Sequence, residues 1–300
     1  MLFFGSYGGG AQRWLNLGFI KFQPSEMMKI IVPIAIASIL SKKTLPPRAL
    51  PFIISLVGIA IVMFLIAKQP DLGTALLIGA SGIYVLFFSG FRISLVKNPW
   101  LNLGLIMGIV GWLLYAAWNY LLISYQKNRI FTLFNPEFDP LGSGYHILQS
   151  KIAIGSGGLT GKGVTHGSQS RLNFVPEQST DFIFSVLAEE MGFIGFILLL
   201  SIYSLIIYRC FNLSLRCEDN FSRLLGASLT FVLFTYIFVN MAMVSGLLPV
   251  VGIPLPLISY GGSSLMTLMI SFGIIMSIHK HKSPRYLQEN TKSLKLHRHL

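Results

Sequence analysis

Residues 181–208 read DFIFSVLAEEMGFIGFILLLSIYSLIIY. Asp181, Glu189 and Glu190 fall in the first ten positions, and the eighteen that follow carry no charge. A helix needs about 20 mostly apolar residues to cross a hydrocarbon core about 30 Å thick. Backbone inside lipid must satisfy its own hydrogen bonds, so such a stretch is a helix. Working outward from this span at 182–208, six further stretches meet the same requirement, near 24–41, 51–67, 72–89, 101–123, 224–246 and 262–279. The expected fold class is therefore all-α, a polytopic membrane helical bundle of seven spans with one long loop at 124–181. The expected domain organisation is one integral-membrane domain over 1–282 and a basic tail over 283–300.

Composition agrees with that reading. Of 300 residues, 53% are hydrophobic and 11% charged, against about 25% charged in a soluble domain. The mean hydropathy is +0.67. These values exclude a disordered chain, a nucleic-acid-binding domain and a water-soluble enzyme. The net charge of +12 fits basic cytoplasmic loops and anionic lipid rather than nucleic acid. Cys210 and Cys217 make neither a disulfide framework nor a metal motif and read as free thiols on the reducing side. His279, His281, His297 and His299 lack zinc spacing.

Lys and Arg set the orientation. With 42–50 inside, fourteen of the 23 basic residues lie inside, including Arg92, Lys97 and six in the tail, eight lie outside, and Lys29 sits within a span. The C-terminus is then cytoplasmic and the loop 124–181 extracytoplasmic. Seven spans with that C-terminus put the N-terminus outside, yet residues 1–23 hold no signal peptide. Met1–Gly5 reads as the last turn of an earlier helix, so upstream spans are expected to be missing.

A charge within a span costs roughly 3 kcal/mol on insertion scales, so it usually faces a cavity or a partner. Glu26 and Lys29 share a helix face at i, i+3. They read either as a charge-cancelling pair or as the wall of an outward-facing polar cavity. Asp181 reads as a helix N-cap or as a base. Glu189 follows two turns later on roughly the same face, which a cap does not explain. Asp181, Glu189, Glu26 and Lys29 are thus expected to form one cluster capable of tuning a carboxylate.

The loop 124–181 is too long for a simple connection. Its stretch GYHILQSKIAI, at 144–154, has the spacing of a short helix lying on the membrane. GSGGLTGKG follows at 155–163. It fails the Walker A pattern, with Ser156 and Gly163 at required positions, and the dinucleotide pattern, with Thr160 at the third glycine. It reads as a flexible loop or as a backbone cradle that holds pyrophosphate with Lys162 beside it. Residues 246–264, with Pro249, Pro254 and Pro256, cannot form a regular helix and read as a packed or re-entrant segment that floors a lipid-chain cavity.

These residues together resemble a family. GAQRWLNLG at 10–18, FQPSE at 22–26 with Lys29, QPDLGT at 69–74, DPLG at 139–142, YHILQSKIAIG at 145–155, TDFIF at 180–184, AEE at 188–190 and PLPLISYGG at 254–262 occur in the order typical of SEDS (shape, elongation, division, sporulation) proteins. The resemblance runs from about residue 10 to residue 282 and is nearer the elongation branch than the division branch. Ser179 stands where the family often has His, and Val175 where it often has Leu.

The resemblance implies a ten-span peptidoglycan glycosyltransferase of the bacterial inner membrane, with its active site on the extracytoplasmic side. Lipid II and undecaprenyl-linked glycan are its substrates, and undecaprenyl pyrophosphate is released. It also implies Asp181 as the catalytic base, with Glu26, Lys29 and Glu189 as supporting charges. Arg129, Gln149, Lys151, Lys162 and Glu177 are the expected substrate-binding residues, with cations offsetting the pyrophosphate. A divalent cation such as Mg2+ could share that load, and no metal-ligand set is identified. The implied partners are a class B penicillin-binding protein and membrane proteins of the elongation complex, with no nucleic acid. A lipid II flippase and a non-catalytic scaffold remain rival readings. The outer position of the charges and the absence of an internal repeat favour the enzyme over a transporter.

Overall fold

The computed structural model describes residues 6–8, 11–16, 21–42, 45–69, 71–90, 99–139, 142–172, 174 and 177–280. Met1–Gly5, Arg92, Lys97, Val175 and the tail at 283–300 lie outside the described residues. In chain order the helices are α1 (Pro24–Ser41), α2 (Ala49–Ala67), α3 (Leu72–Phe88), α4 (Pro99–Ala116), α5 (Ser124–Phe134), α6 (Ser143–Gly157), α7 (Ser168–Arg171), α8 (Ile183–Leu215), α9 (Asn220–Val244) and α10 (Gly262–Lys280). Helix α4 runs on into a π turn at Ala117–Leu121. Among the described residues α1, α2, α8 and α9 are long and apolar enough to cross a membrane, and Leu72–Phe88 and Gly262–Ile278 are shorter apolar helices.

Two departures from the sequence reading stand out. Residues before α1 form a small antiparallel sheet of β1 (Ser6–Gly8), β2 (Ala11–Asn16) and β3 (Lys21–Phe22), in the order β1-β2-β3. In addition, α8 is not one continuous span, because Gly192 takes φ 64° and ψ −160° in its interior. This conformation is open essentially to glycine alone. Glu189 and Glu190 thus belong to a short helical segment before the break rather than to a long apolar span.

The chain divides into two compact units: Met1–Gly90 with Ile197–Phe238 and Ile253–Leu300, and Phe91–Phe196 with Val239–Gly252. The core of the first is built by Ile30, Ile36 and Leu40 of α1, Ile59 and Ile66 of α2, Ile78 and Val85 of α3, and Leu224, Leu225 and Leu229 of α9. Helices α2 and α3 approach closely, since a Cβ on Gly79 would sit 2.3 Å from the Met63 sulfur. Small residues at such contacts are how helices pack where lipid supplies no hydrophobic drive between them. The opposite face of α2 exposes Ile53, Val57, Ile61 and Phe64, as a lipid-facing surface does.

The second unit holds α5, α6, α7 and the start of α8. Asp139 opens α6, because its Oδ2 accepts the Ser143 N–H at 2.8 Å and the Ser143 hydroxyl at 3.0 Å. This caps orphan donors of the first turn. Asp139 therefore marks a helix start.

Candidate active site

In the second unit, Asp181 lies in the turn just ahead of α8 and is half-buried. Its backbone carbonyl accepts the Asn240 amide at 2.8 Å. Among the described residues its carboxylate oxygens accept no hydrogen bond. A Cβ on Gly252 would stand 3.2 Å from Oδ2, so the residue opposite must be small. Burial chiefly, then the Glu177 carboxylate, push the Asp181 carboxyl up to about 6 from 3.8, with the Arg129 guanidinium opposing. An unpaired carboxylate raised toward neutrality is what a general base requires.

Arg129 on α5 donates to the Val250 carbonyl at 2.9 Å. On α6, Ser150 donates to the Val244 carbonyl at 2.8 Å, and the Lys151 stem lies along Gly246, where a Cβ would come within 2.2 Å of Cε. These contacts hold α5 and α6 against the segment 244–252. Lys151 is exposed and Gln149 half-buried on the same helix. Glu177 is exposed, and its Oε2 accepts the Thr180 hydroxyl at 2.9 Å. The structure thus brings Asp181, Glu177 and Arg129 into one electrostatic group.

Glu189 has a different setting. Its carboxylate is fully buried, and Oε1 accepts from Lys162 Nζ at 2.7 Å, the Gln169 backbone N–H at 3.0 Å and the Ser168 hydroxyl at 3.2 Å. The Gly-rich loop is stapled to the same place. Lys162 and Gly163 donate their N–H groups to the carbonyls of Glu189 and Glu190, both at 3.0 Å. Thr165 donates its own to the Glu190 side chain at 3.0 Å.

The expected pyrophosphate cradle is corrected accordingly: these donors face protein acceptors, and the Lys162 ammonium is held by Glu189. The glycines serve close backbone approach. A Cβ on Gly161, at φ +76°, would meet the Glu190 carbonyl oxygen at 2.1 Å. Gly161→Ala is therefore expected to lose about 2–4 kcal/mol, from left-handed backbone strain and overpacking together. A fall in the thermal midpoint of the detergent-solubilised protein checks this.

In the first unit, Glu26 and Lys29 are buried on α1 and pair at 2.5 Å. The Tyr236 hydroxyl donates to Glu26 Oε2 at 3.3 Å, and Lys29 Nζ lies 4.4 Å above the Tyr236 ring. The pair cancels charge, and it lines a cavity that is not the polar one expected. The rest of the wall is largely apolar and includes Pro254, Leu255, Pro256 and Leu268. The proline-rich segment is packed as expected, with Tyr203 donating to the Pro256 carbonyl at 2.6 Å. Among the described residues no group of three or more His, Cys, Asp or Glu could hold a metal.

Sequence reading missed three of these residues. Tyr236 and Asn240 stand one helical turn apart in the apolar α9, and a lone amide within a span is a signal in itself. For His146, no spacing flagged its place beside Phe182.

The profile of the FtsW/RodA/SpoVE cell cycle proteins matches residues 1–284. The chain belongs to this family. As a family member it is a multi-pass membrane protein, as its apolar helices require. It is 50% identical over 279 residues to a peptidoglycan glycosyltransferase, MrdB, of Escherichia coli K12, covering 93% of this chain and 74% of that protein. Identity to a probable peptidoglycan glycosyltransferase FtsW of Trichlorobacter lovleyi is 38%, covering 90% and 68%. The order agrees with the elongation branch. Among solved structures, a chain of a peptidoglycan synthase complex that coordinates polymerization and crosslinking superposes with TM-score 0.76 at 31% identity, covering 93% and 76%. RodA of Thermus thermophilus superposes with TM-score 0.62 at 29% identity, covering 92% and 71%.

Proposed function

We propose that this chain polymerises lipid II into glycan strands, with Asp181 as general base. The activity class is that of a peptidoglycan glycosyltransferase. The observation that carries the assignment of the base is the Asp181 carboxylate, unpaired among the described residues and raised to about 6. The 4-hydroxyl of the incoming lipid II attacks the anomeric carbon of the growing glycan. The new O–C bond forms as the bond to pyrophosphate breaks, and the configuration inverts. The hydroxyl proton passes to Asp181, and the electron pair departs with undecaprenyl pyrophosphate. At pH 7 a group titrating near 6 is ionised yet still basic enough to take that proton.

Arg129 is held beside the segment 244–252 by its hydrogen bond to the Val250 carbonyl. With Lys151 it offsets the charge developing on the leaving group. Gln149 and Glu177 lie on the same unit and offer polar contacts to the sugars. No step is assigned to a metal held by the chain. The cavity lined by Glu26 and Lys29 suits a polyprenyl chain, its walls being largely apolar. We place the Asp181 site on the extracytoplasmic side of the inner membrane, with the C-terminus cytoplasmic. The similarity to a synthase complex supports a class B penicillin-binding protein as crosslinking partner.

Release of undecaprenyl pyrophosphate from lipid II, in step with glycan formation, tests the reaction. One equivalent per disaccharide added is expected. Movement of labelled lipid II across vesicles without pyrophosphate release would replace the enzyme by a flippase.

A further inference from the structure

His146, on α6, stacks on Phe182, the residue after Asp181, with ring centroids 5.6 Å apart and planes 19° from parallel. Its Nδ1 is buried with no hydrogen-bond partner. Its Nε2 makes no hydrogen bond to a described residue and is not among the buried unpartnered atoms, so it reaches open space. A buried N–H without a partner is costlier and rarer than a bare acceptor. The ring proton therefore belongs on Nε2, and the imidazole presents a donor outward. Burial lowers its pKa, while the Glu177 and Asp139 carboxylates raise it and Arg129 lowers it. Glu177 and Arg129 are also the charges that act on Asp181, so both groups stand in one field.

We propose that His146 is a substrate-contacting residue of the Asp181 site, its neutral Nε2–H donating to an uncharged sugar oxygen of the acceptor. The nearby carboxylates disfavour a pyrophosphate oxygen there, whereas a hydroxyl or acetamido carbonyl suffers no such repulsion. The bond would hold the acceptor ring while Asp181 takes the proton of its attacking hydroxyl. This inference rests on the glycosyltransferase reading above.

The test is lipid II polymerisation by the full chain with its transpeptidase partner, comparing wild type, Asp181→Asn, His146→Phe and His146→Gln. Phe keeps a ring to stack on Phe182 and removes the donor; Gln returns an N–H near the Nε2 position. His146→Phe is expected to lose tenfold or more in kcat/KM with an unchanged thermal midpoint, and His146→Gln to stay within threefold of wild type. Activity of His146→Phe within twofold of wild type, with Asp181→Asn inactive, would overturn the contact and leave the base assignment standing. Equal tenfold losses in Phe and Gln variants that both keep the wild-type midpoint would also overturn it. If His146→Phe does not fold, His146→Leu, which also removes the donor, takes its place under the same limits. Absence of polymer from the wild type would overturn the parent reading, and this one with it.

Discussion

Asp181→Asn is expected to cut lipid II polymerisation by about 100- to 10,000-fold, the usual worth of a positioned general base. The same change is expected to stabilise the protein near neutral pH. The fold raises the Asp181 carboxyl from 3.8 to about 6, chiefly by burial. An acid whose pKa is raised on folding binds its proton more tightly in the native state, so its ionised form opposes folding. That cost is present above about pH 6 and disappears below about pH 4, where the group is protonated in both states. Asn removes it. Thermal midpoints should therefore rise in Asp181→Asn at pH 7–8 and converge with wild type near pH 4. The activity of the wild type should fall about tenfold per pH unit below 6 as the base is protonated. A variant that is both inactive and less stable at pH 7 would mean that Asp181 holds structure rather than a proton.

Lys162→Met should be the most destabilising single change in the second unit. The Glu189 carboxylate is fully buried, while the Lys162 side chain is 29% exposed. Removing the ammonium takes the Lys162 cation from a buried carboxylate, and breaking such a pair typically costs about 3–5 kcal/mol. Glu189→Gln leaves Lys162 able to turn to water and keeps an acceptor for the Gln169 N–H, so it should cost less. The double variant should recover part of the loss, because the buried negative charge is removed together with its cation. Midpoints of the three detergent-solubilised variants check this order. Equal losses in both single variants with none recovered in the double would show that the ion pair does not hold the loop.

What was legible in the sequence follows from how strictly lipid constrains a chain. Six of the spans could be placed to within four residues because each must be helical and apolar along its length, whereas α8 runs to Leu215, past the expected end at 208. The pairing of Glu26 with Lys29 was equally open to reading, since helix period alone puts i and i+3 together. The break at Gly192 was not: MGFIGF reads as helix, and glycine is common in membrane helices. The partner of Glu189 was not legible either. Helical period placed Glu189 with Asp181, but the kinked segment offers its carboxylate to Lys162, 27 positions earlier. The Gly-rich loop misled for a related reason. Glycines that admit a phosphate and glycines that admit another backbone look alike in sequence, and here Gly161 admits the carbonyl of Glu190. Arg129 against Val250, 121 positions apart, leaves no local trace at all.

Glycan products from fluorescent lipid II, resolved by length, from the chain with its transpeptidase partner decide whether Asp181 is the base. Glycan strands are expected from the wild type and none from an equally well inserted Asp181→Asn. Strands of normal length from Asp181→Asn would contradict that assignment.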